Sequence, residues 1–393
     1  MKNLSEIRIW LYTFTSTFSQ LYTPIIFLFF ADKGVNVGEV GLLFALGSGI
    51  NLLTEVPFGV FSDKYSKKLS VIIGSIFTIL GLTIYINGFG FMQMAFAIGL
   101  ISVGESGKSG SVEAILSETL KEPKYFFQIN NYTTYLSNAI SAVIIGSLFS
   151  INHTYPFYVA LFCEFILFFL IISVKTKKNI PNQLNSSVAN EEILNFKVVF
   201  SIILKYKSIF FILFFSYFFI PQLSVFFPVY LETQNLPIEL FGIVYFFMNL
   251  IPMIGTYIYR KKLEKMNEYR IILTSLTIFS LGILLMGIFK NIYVGLFIYS
   301  FLRIVIGWFW LVFSIYLNSI ATSANRATMF SIKGMVTNLA FILSDPFVSF
   351  VIYQRNIYYS YLLTGIFIII STILLGTKHY LSKKGEKNVY LEK

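Results

Sequence analysis

Twelve runs of mostly apolar residues recur along the chain, each near the length that crosses a bilayer, and short polar segments join them. A hydrocarbon core asks for about 20 apolar residues per helix. No backbone amide can stay unpaired there, so each run must be a helix closed on its own hydrogen bonds. The runs lie near 9–30, 38–60, 69–88, 92–117, 126–150, 154–174, 208–231, 239–259, 271–289, 292–318, 328–352 and 357–377. Only 12% of the 393 residues are charged, against roughly 25% in a water-soluble domain. That leaves too little polar surface to clothe a soluble particle. The expected fold is an all-α polytopic membrane protein. The first run is long enough to span and lacks a small-residue cleavage site, so it reads as a helix rather than a signal peptide.

One connection is long. Residues 175–207 are polar and then semi-apolar, with Lys177, Lys178, Asn179, Pro181 and Asn182 at their start. This segment divides the chain into bundles of six helices at 1–174 and 208–377, followed by a tail at 378–393. A short surface helix is expected near 191–205.

The net charge of +11 does not point to nucleic acid, because the basic residues gather in short loops rather than on one face. Twenty-four of the thirty fall on one side: the N-terminus, the 2–3, 4–5 and 8–9 loops, the linker, Arg326 and the tail. Lys33, Lys290 and Arg355 fall on the other, and Lys108, Arg303 and Lys333 lie inside spans. Positive loops face the cytoplasm, which places both termini there, in a multi-pass protein of the cell membrane.

A weak internal repeat accompanies this division. Gly41 precedes Asp63-Lys64 by the same interval as Gly242 precedes Glu264-Lys265, and the offset is 201 in both cases. Paired halves of this kind are the architecture of transporters with a midplane site.

The loop between spans two and three reads Gly59-Val60-Phe61-Ser62-Asp63-Lys64-Tyr65-Ser66-Lys67-Lys68. It resembles the G-x-x-x-D-[RK]-x-[GS]-[RK]-[RK] signature of the major facilitator superfamily. Gly59 would permit close helix approach. Asp63 would accept from basic groups or a helix N-terminus, and Lys64, Lys67 and Lys68 would pair with it or with anionic lipid headgroups. Ser109-Gly110-Ser111-Val112-Glu113-Ala114-Ile115-Leu116, preceded by Lys108, is similar to a pattern at the end of span four in one branch of that family. Arg326-Ala327-Thr328 with Ser331 resembles a common start of span eleven. The proline-containing pattern of span five in drug–proton antiporters is absent. Asn138, Ala142 and Gly146 stand there instead, at packing intervals.

The resemblance implies two six-helix bundles that alternate access for a small-molecule substrate, with no cofactor, and with the protein acting as a monomer. It also implies that spans one, four, seven and ten line the cavity. Charges inside spans are costly and mark function. Glu105, Lys108 and Arg303 therefore have the best claim to the substrate or to a coupling proton, joined by Glu113 and Lys333. Glu105 and Lys108 are one turn apart on one helix face and are expected to form a buried pair. Glu164, Glu55 and Asp345 read as structural.

Gly104-Glu105-Ser106-Gly107-Lys108-Ser109 resembles a phosphate-binding loop, but Ser102 stands where that loop needs glycine and the flanks are apolar. A membrane enzyme would need paired acids, a nucleophile with a base, or a histidine-rich metal set. The two histidines and the lone Cys163 supply none of these. The expected function is secondary active transport, with proton-coupled efflux of an amphipathic or apolar compound preferred over metabolite uptake, lipid flipping or sensing.

Overall fold

Side chains that cap the helices sit where the polar loops end. Asn36 accepts from the Glu39 amide, and the Glu39 carboxylate accepts in return from the Asn36 amide, closing a capping box. Ser66 accepts from Leu69 N and Asn267 from Arg270 N. The computed structural model describes residues 4–109, 111–112, 115, 123–173, 196–217, 225–320 and 326–373.

The helices are α1 (Leu4–Ser19), α2 (Ile26–Asp32), α3 (Val37–Lys64), α4 (Lys67–Asn87), α5 (Phe91–Lys108), α6 (Pro123–Ile151) and α7 (Tyr155–Ser173). There follow α8 (Phe196–Lys205), α9 (Lys207–Ser216), α10 (Phe227–Thr233), α11 (Ile238–Ile258), α12 (Glu268–Ile288), α13 (Ile292–Ile320), α14 (Arg326–Gln354) and α15 (Ile357–Ile373). Eight segments are long and apolar enough to cross a membrane, and Leu136–Ile151, Lys207–Ser216 and Ile357–Ile373 are shorter apolar helices. The 18-residue α5, diluted by Glu105, Lys108 and small residues, corresponds to span four.

Two expected spans are not continuous. Span one is interrupted between α1 and α2, where a 3-10 turn at Thr23–Ile25 contains Pro24. Proline has no N–H to continue the ladder and crowds the preceding turn. In span seven, residues 225–226 form a turn before α10, which opens with Pro228 among its first residues; residues 218–224 lie outside the described residues. Hydropathy runs through both breaks, so composition alone does not reveal them. In the linker, the helix begins at Phe196; the rest of the expected 191–205 segment lies outside the described residues.

The repeat is far clearer in helix boundaries than in residues. The starts of α3, α4 and α5 recur 201 residues later as the starts of α11, α12 and α13, and the N-caps Ser66 and Asn267 keep the same interval.

The chain forms two compact units. The first draws on Met1–Asn185, Ser224–Leu250 and Phe341–Tyr353; the second draws on Ser186–Leu223, Ile251–Ala340 and Gln354–Lys393.

Glycine governs the close crossings within the first unit. A Cβ on Gly74 of α4 would lie 2.5 Å from Gly104 O of α5, and one on Gly107 would lie 3.1 Å from the Gly74 Cα. A Cβ on Gly242 of α11 would come within 2.6 Å of Ala142 O, and one on Gly146 within 2.9 Å of the Gly242 Cα. Asn138 completes that stripe, its backbone O accepting from Asn249 Nδ2 at 3.3 Å. Gly41 of α3 packs on Asp345 and Ser349 of α14 in the same manner, and the Ser349 hydroxyl bridges Gly41 N and Val37 O. In the second unit Gly255 and Gly307 bring α11 against α13, and Thr256 Oγ1 donates to Gly307 O at 3.0 Å. Gly59 does not follow its expected role: a Cβ there would meet nothing within 4 Å among the described residues.

Candidate functional site

The break in span one positions the first functional side chain. Gln20 O accepts from Thr23 N and Thr23 Oγ1, which closes the end of α1 where the ladder fails. The Gln20 amide nitrogen then donates to Glu105 Oε1 of α5 at 2.9 Å. Glu105 is half-buried, one turn before Lys108.

Lys108 turns to a different partner from the expected one. Its stem runs along the gap left by Gly74, and Nζ meets Glu164 Oε1 of α7 at 2.9 Å. Glu164 is 1% exposed. Its other oxygen, Oε2, has no hydrogen-bond partner among the described residues. The i, i+3 spacing suggests a pair with Glu105, but the salt bridge goes to Glu164, and Lys108 acts on Glu105 through its charge. The acid set aside as structural holds the lysine, and its signal was its position as the lone acid inside an apolar span. Buried tyrosines enclose the set: Tyr12 lies within electrostatic range of Glu164, and Tyr22 within range of both carboxylates.

The cluster has an unequal charge count. Two carboxylates, Glu164 buried and Glu105 half-buried, stand about one ammonium, so one added proton brings the set to neutrality. Lys108 alone cannot balance both acids. Protonation would also convert an acceptor-only carboxylate into a donor, which changes what Gln20 at the break can offer it.

The segment that resembles a phosphate loop is helical through Lys108. Ser106 Oγ donates to Asn51 Oδ1 and shares a 2.7 Å hydrogen bond with Thr54, tying α5 to α3, and Ser70 Oγ donates to Gly107 O at 2.7 Å. The small residues serve helix packing.

Other expected site residues are dispersed. Arg303 of α13 and Lys333 of α14 are half-buried and belong to the second unit. The Arg303 charge acts on Tyr299, one turn earlier. Glu113 lies outside the described residues. In the loop signature, Lys64 is exposed over the Tyr65 ring at 5.4 Å, and Lys68 Nζ donates to Ile172 O at 2.7 Å, a carbonyl at the end of α7. Lys67 opens α4. Asp63 lies on α3, and its side chain is outside the described residues. Trp308 is committed to packing through a 3.0 Å bond to Ser275.

The sequence profile described as the Major Facilitator Superfamily matches residues 9–302. The uncharacterized MFS-type transporter YxaM of Bacillus subtilis (strain 168) is 25% identical over 368 residues, covering 90% of each chain. The uncharacterized MFS-type transporter MJ1560 of Methanocaldococcus jannaschii is 27% identical over 165 residues, 40% of this chain and 41% of that one. Among solved structures, the nucleoside transporter NupG superposes with a TM-score of 0.81 at 14% identity, covering 95% of this chain and 99% of NupG. A point mutant of NupG gives 0.82 at 12% identity, with the same coverage.

Proposed function

The chain belongs to the major facilitator superfamily, and on that premise we propose that it is a secondary active transporter. It couples proton movement through the Glu105–Lys108–Glu164 cluster to efflux of a small amphipathic compound. The six-helix halves 1–174 and 208–377 alternate access across the cell membrane, with both termini and the 175–207 linker in the cytoplasm. The observation that carries the reading is the charge count in the cluster, two carboxylates to one ammonium.

Glu105 lies 14 residues into α5, or about 21 Å along it at 1.5 Å per residue. That depth is past the midplane of a core of roughly 30 Å. The proton binds at Glu105 when the cluster is reached from one side and leaves from the other. Gln20, at the break in span one, relays the change of charge to the helix that hinges there. The Gly59–Lys68 loop serves as the cytoplasmic gate, so Asp63→Asn should slow exchange and gradient-driven flux alike.

The test is flux of labelled amphipathic compounds in proteoliposomes under an imposed pH gradient. Efflux by antiport predicts accumulation against the gradient in inside-out vesicles and its collapse by a protonophore. Gradient-independent flux of every compound would overturn the coupling. Uptake by symport is the second reading, supported by the nucleoside transporter that shares the fold. Reversing the gradient tests it. Lipid scrambling without solute flux in the same vesicles would point to a flippase instead.

A further inference from the structure

The two units differ in the charges their spans enclose. Inside the first lie Glu55, Glu105, Glu164 and Asp345 with the single lysine Lys108. In the interior of the second unit's spans, over 209–217, 251–259, 271–288, 293–317, 329–340 and 357–373, there is no Asp or Glu, while Arg303 and Lys333 are there; Glu268 stands at the first residue of α12.

Lys333 is the sharper case. It is half-buried on α14, and its ammonium has no ion-pair or hydrogen-bond partner among the described residues. Its contact with Thr337 uses its backbone: Thr337 Oγ1 donates to Lys333 O at 2.9 Å. Lys108 of the first unit, by contrast, is matched to Glu164. An ammonium inside a span costs a few kcal/mol unless something answers it, and no acid among the described residues does.

What stands beside Lys333 describes what could. Thr337 is one turn further along, on the same helix face. Its side chain hydrogen-bonds Tyr217 at the end of α9, and the Tyr217 ring lies 5.0 Å from that of Trp310 on α13. Thr337, Tyr217 and Trp310 are thus linked in turn across three helices of one unit, and Lys333 shares the helix face of the first of them. Aromatic faces bury the apolar body of a ligand, while a few polar groups fix its charged end. The α14 helix begins seven residues earlier at Arg326, so Lys333 lies about 10 Å up the helix axis.

We infer that the second unit holds an anion site centred on the Lys333 ammonium and floored by Thr337, Tyr217 and Trp310. The transported compound accordingly carries one negative charge, such as a carboxylate, on an aromatic or apolar body. This rests on the transporter reading for its biological meaning, but binding is measured without any proton gradient, so the two can fail separately.

The experiment is calorimetric titration of the purified full-length protein with 2-naphthoate and its uncharged methyl ester. It is run in nanodiscs of phosphatidylcholine alone and of phosphatidylcholine with phosphatidylglycerol. We expect naphthoate to bind at least tenfold more tightly than the ester. Lys333→Met should remove that preference and Lys333→Arg should keep it. Because Lys333→Met deletes an unanswered charge, the ligand-free variant should melt no lower than the parent, which separates a lost site from a lost fold. Three results would each overturn the proposal: no naphthoate binding, equal binding of acid and ester, or an unchanged preference in Lys333→Met. Loss of naphthoate binding wherever phosphatidylglycerol is present would assign the ammonium to a lipid phosphate and overturn the substrate role. Naphthoate binding dependent on Lys333, without gradient-driven flux, would leave this site standing and sink proton coupling.

Discussion

Lys108 and Glu164 are a buried ion pair joined by a 2.9 Å contact, and such pairs are far more costly to break than to replace whole. Removing one partner leaves an uncompensated charge and costs about 3–5 kcal/mol. Lys108→Met should therefore lower the melting temperature of the purified protein markedly, and adding Glu164→Gln should restore most of the loss. Glu105→Gln alone should melt near the parent, since the amide keeps an acceptor for Gln20. If Lys108→Met were rescued by Glu105→Gln and not by Glu164→Gln, the pairing would be the one that spacing suggests. The sequence shows that Glu105 and Lys108 matter, because charges inside apolar runs stand out. It does not show which acid the lysine meets, because Glu164 is 56 residues away. The choice depends on the Gly74 gap that lets the lysine stem pass.

At the scale of the element, small residues decide how closely helices cross. Alanine at Gly242 would place its Cβ 2.6 Å from Ala142 O, and alanine at Gly146 would press on the Gly242 Cα at 2.9 Å. Overpacking of this kind costs typically 1–3 kcal/mol, so Gly242→Ala should destabilise by about that much in a thermal melt. Gly59→Ala should be neutral or slightly stabilising, because no described residue lies within 4 Å of where its Cβ would be and alanine favours helix over glycine by up to ~1 kcal/mol. A large loss at Gly59 and none at Gly242 would contradict the packing described. Spans were legible because hydropathy is a local property of each run. The stripe Asn138–Ala142–Gly146 was legible because it repeats every four residues. The break at Pro24 was masked by the apolar residues around it. The open space beside Gly59 among the described residues was not legible, because a glycine in a signature says nothing about what lies opposite.

For the whole molecule, the basic residues divide twenty-four to three between the two sides, and by the positive-inside rule this bias predicts that the richer side faces the cytoplasm. Cys163 is buried and can be exchanged for serine before other cysteines are introduced. Cysteines at Lys290 and Arg355 should then react with an impermeant thiol reagent outside whole cells, and those at Lys178 and Lys262 should not; the reverse pattern would invert the topology. Glu105 is proposed to carry the coupling proton, and a single pair of flux measurements decides it. Glu105→Gln and the parent are placed in proteoliposomes with the best-transported compound of the amphipathic panel. Gradient-free exchange is then measured beside accumulation driven by an imposed pH gradient. The account predicts that Glu105→Gln keeps exchange at close to the parent rate and loses gradient-driven accumulation. Accumulation by Glu105→Gln at the parent level would contradict it.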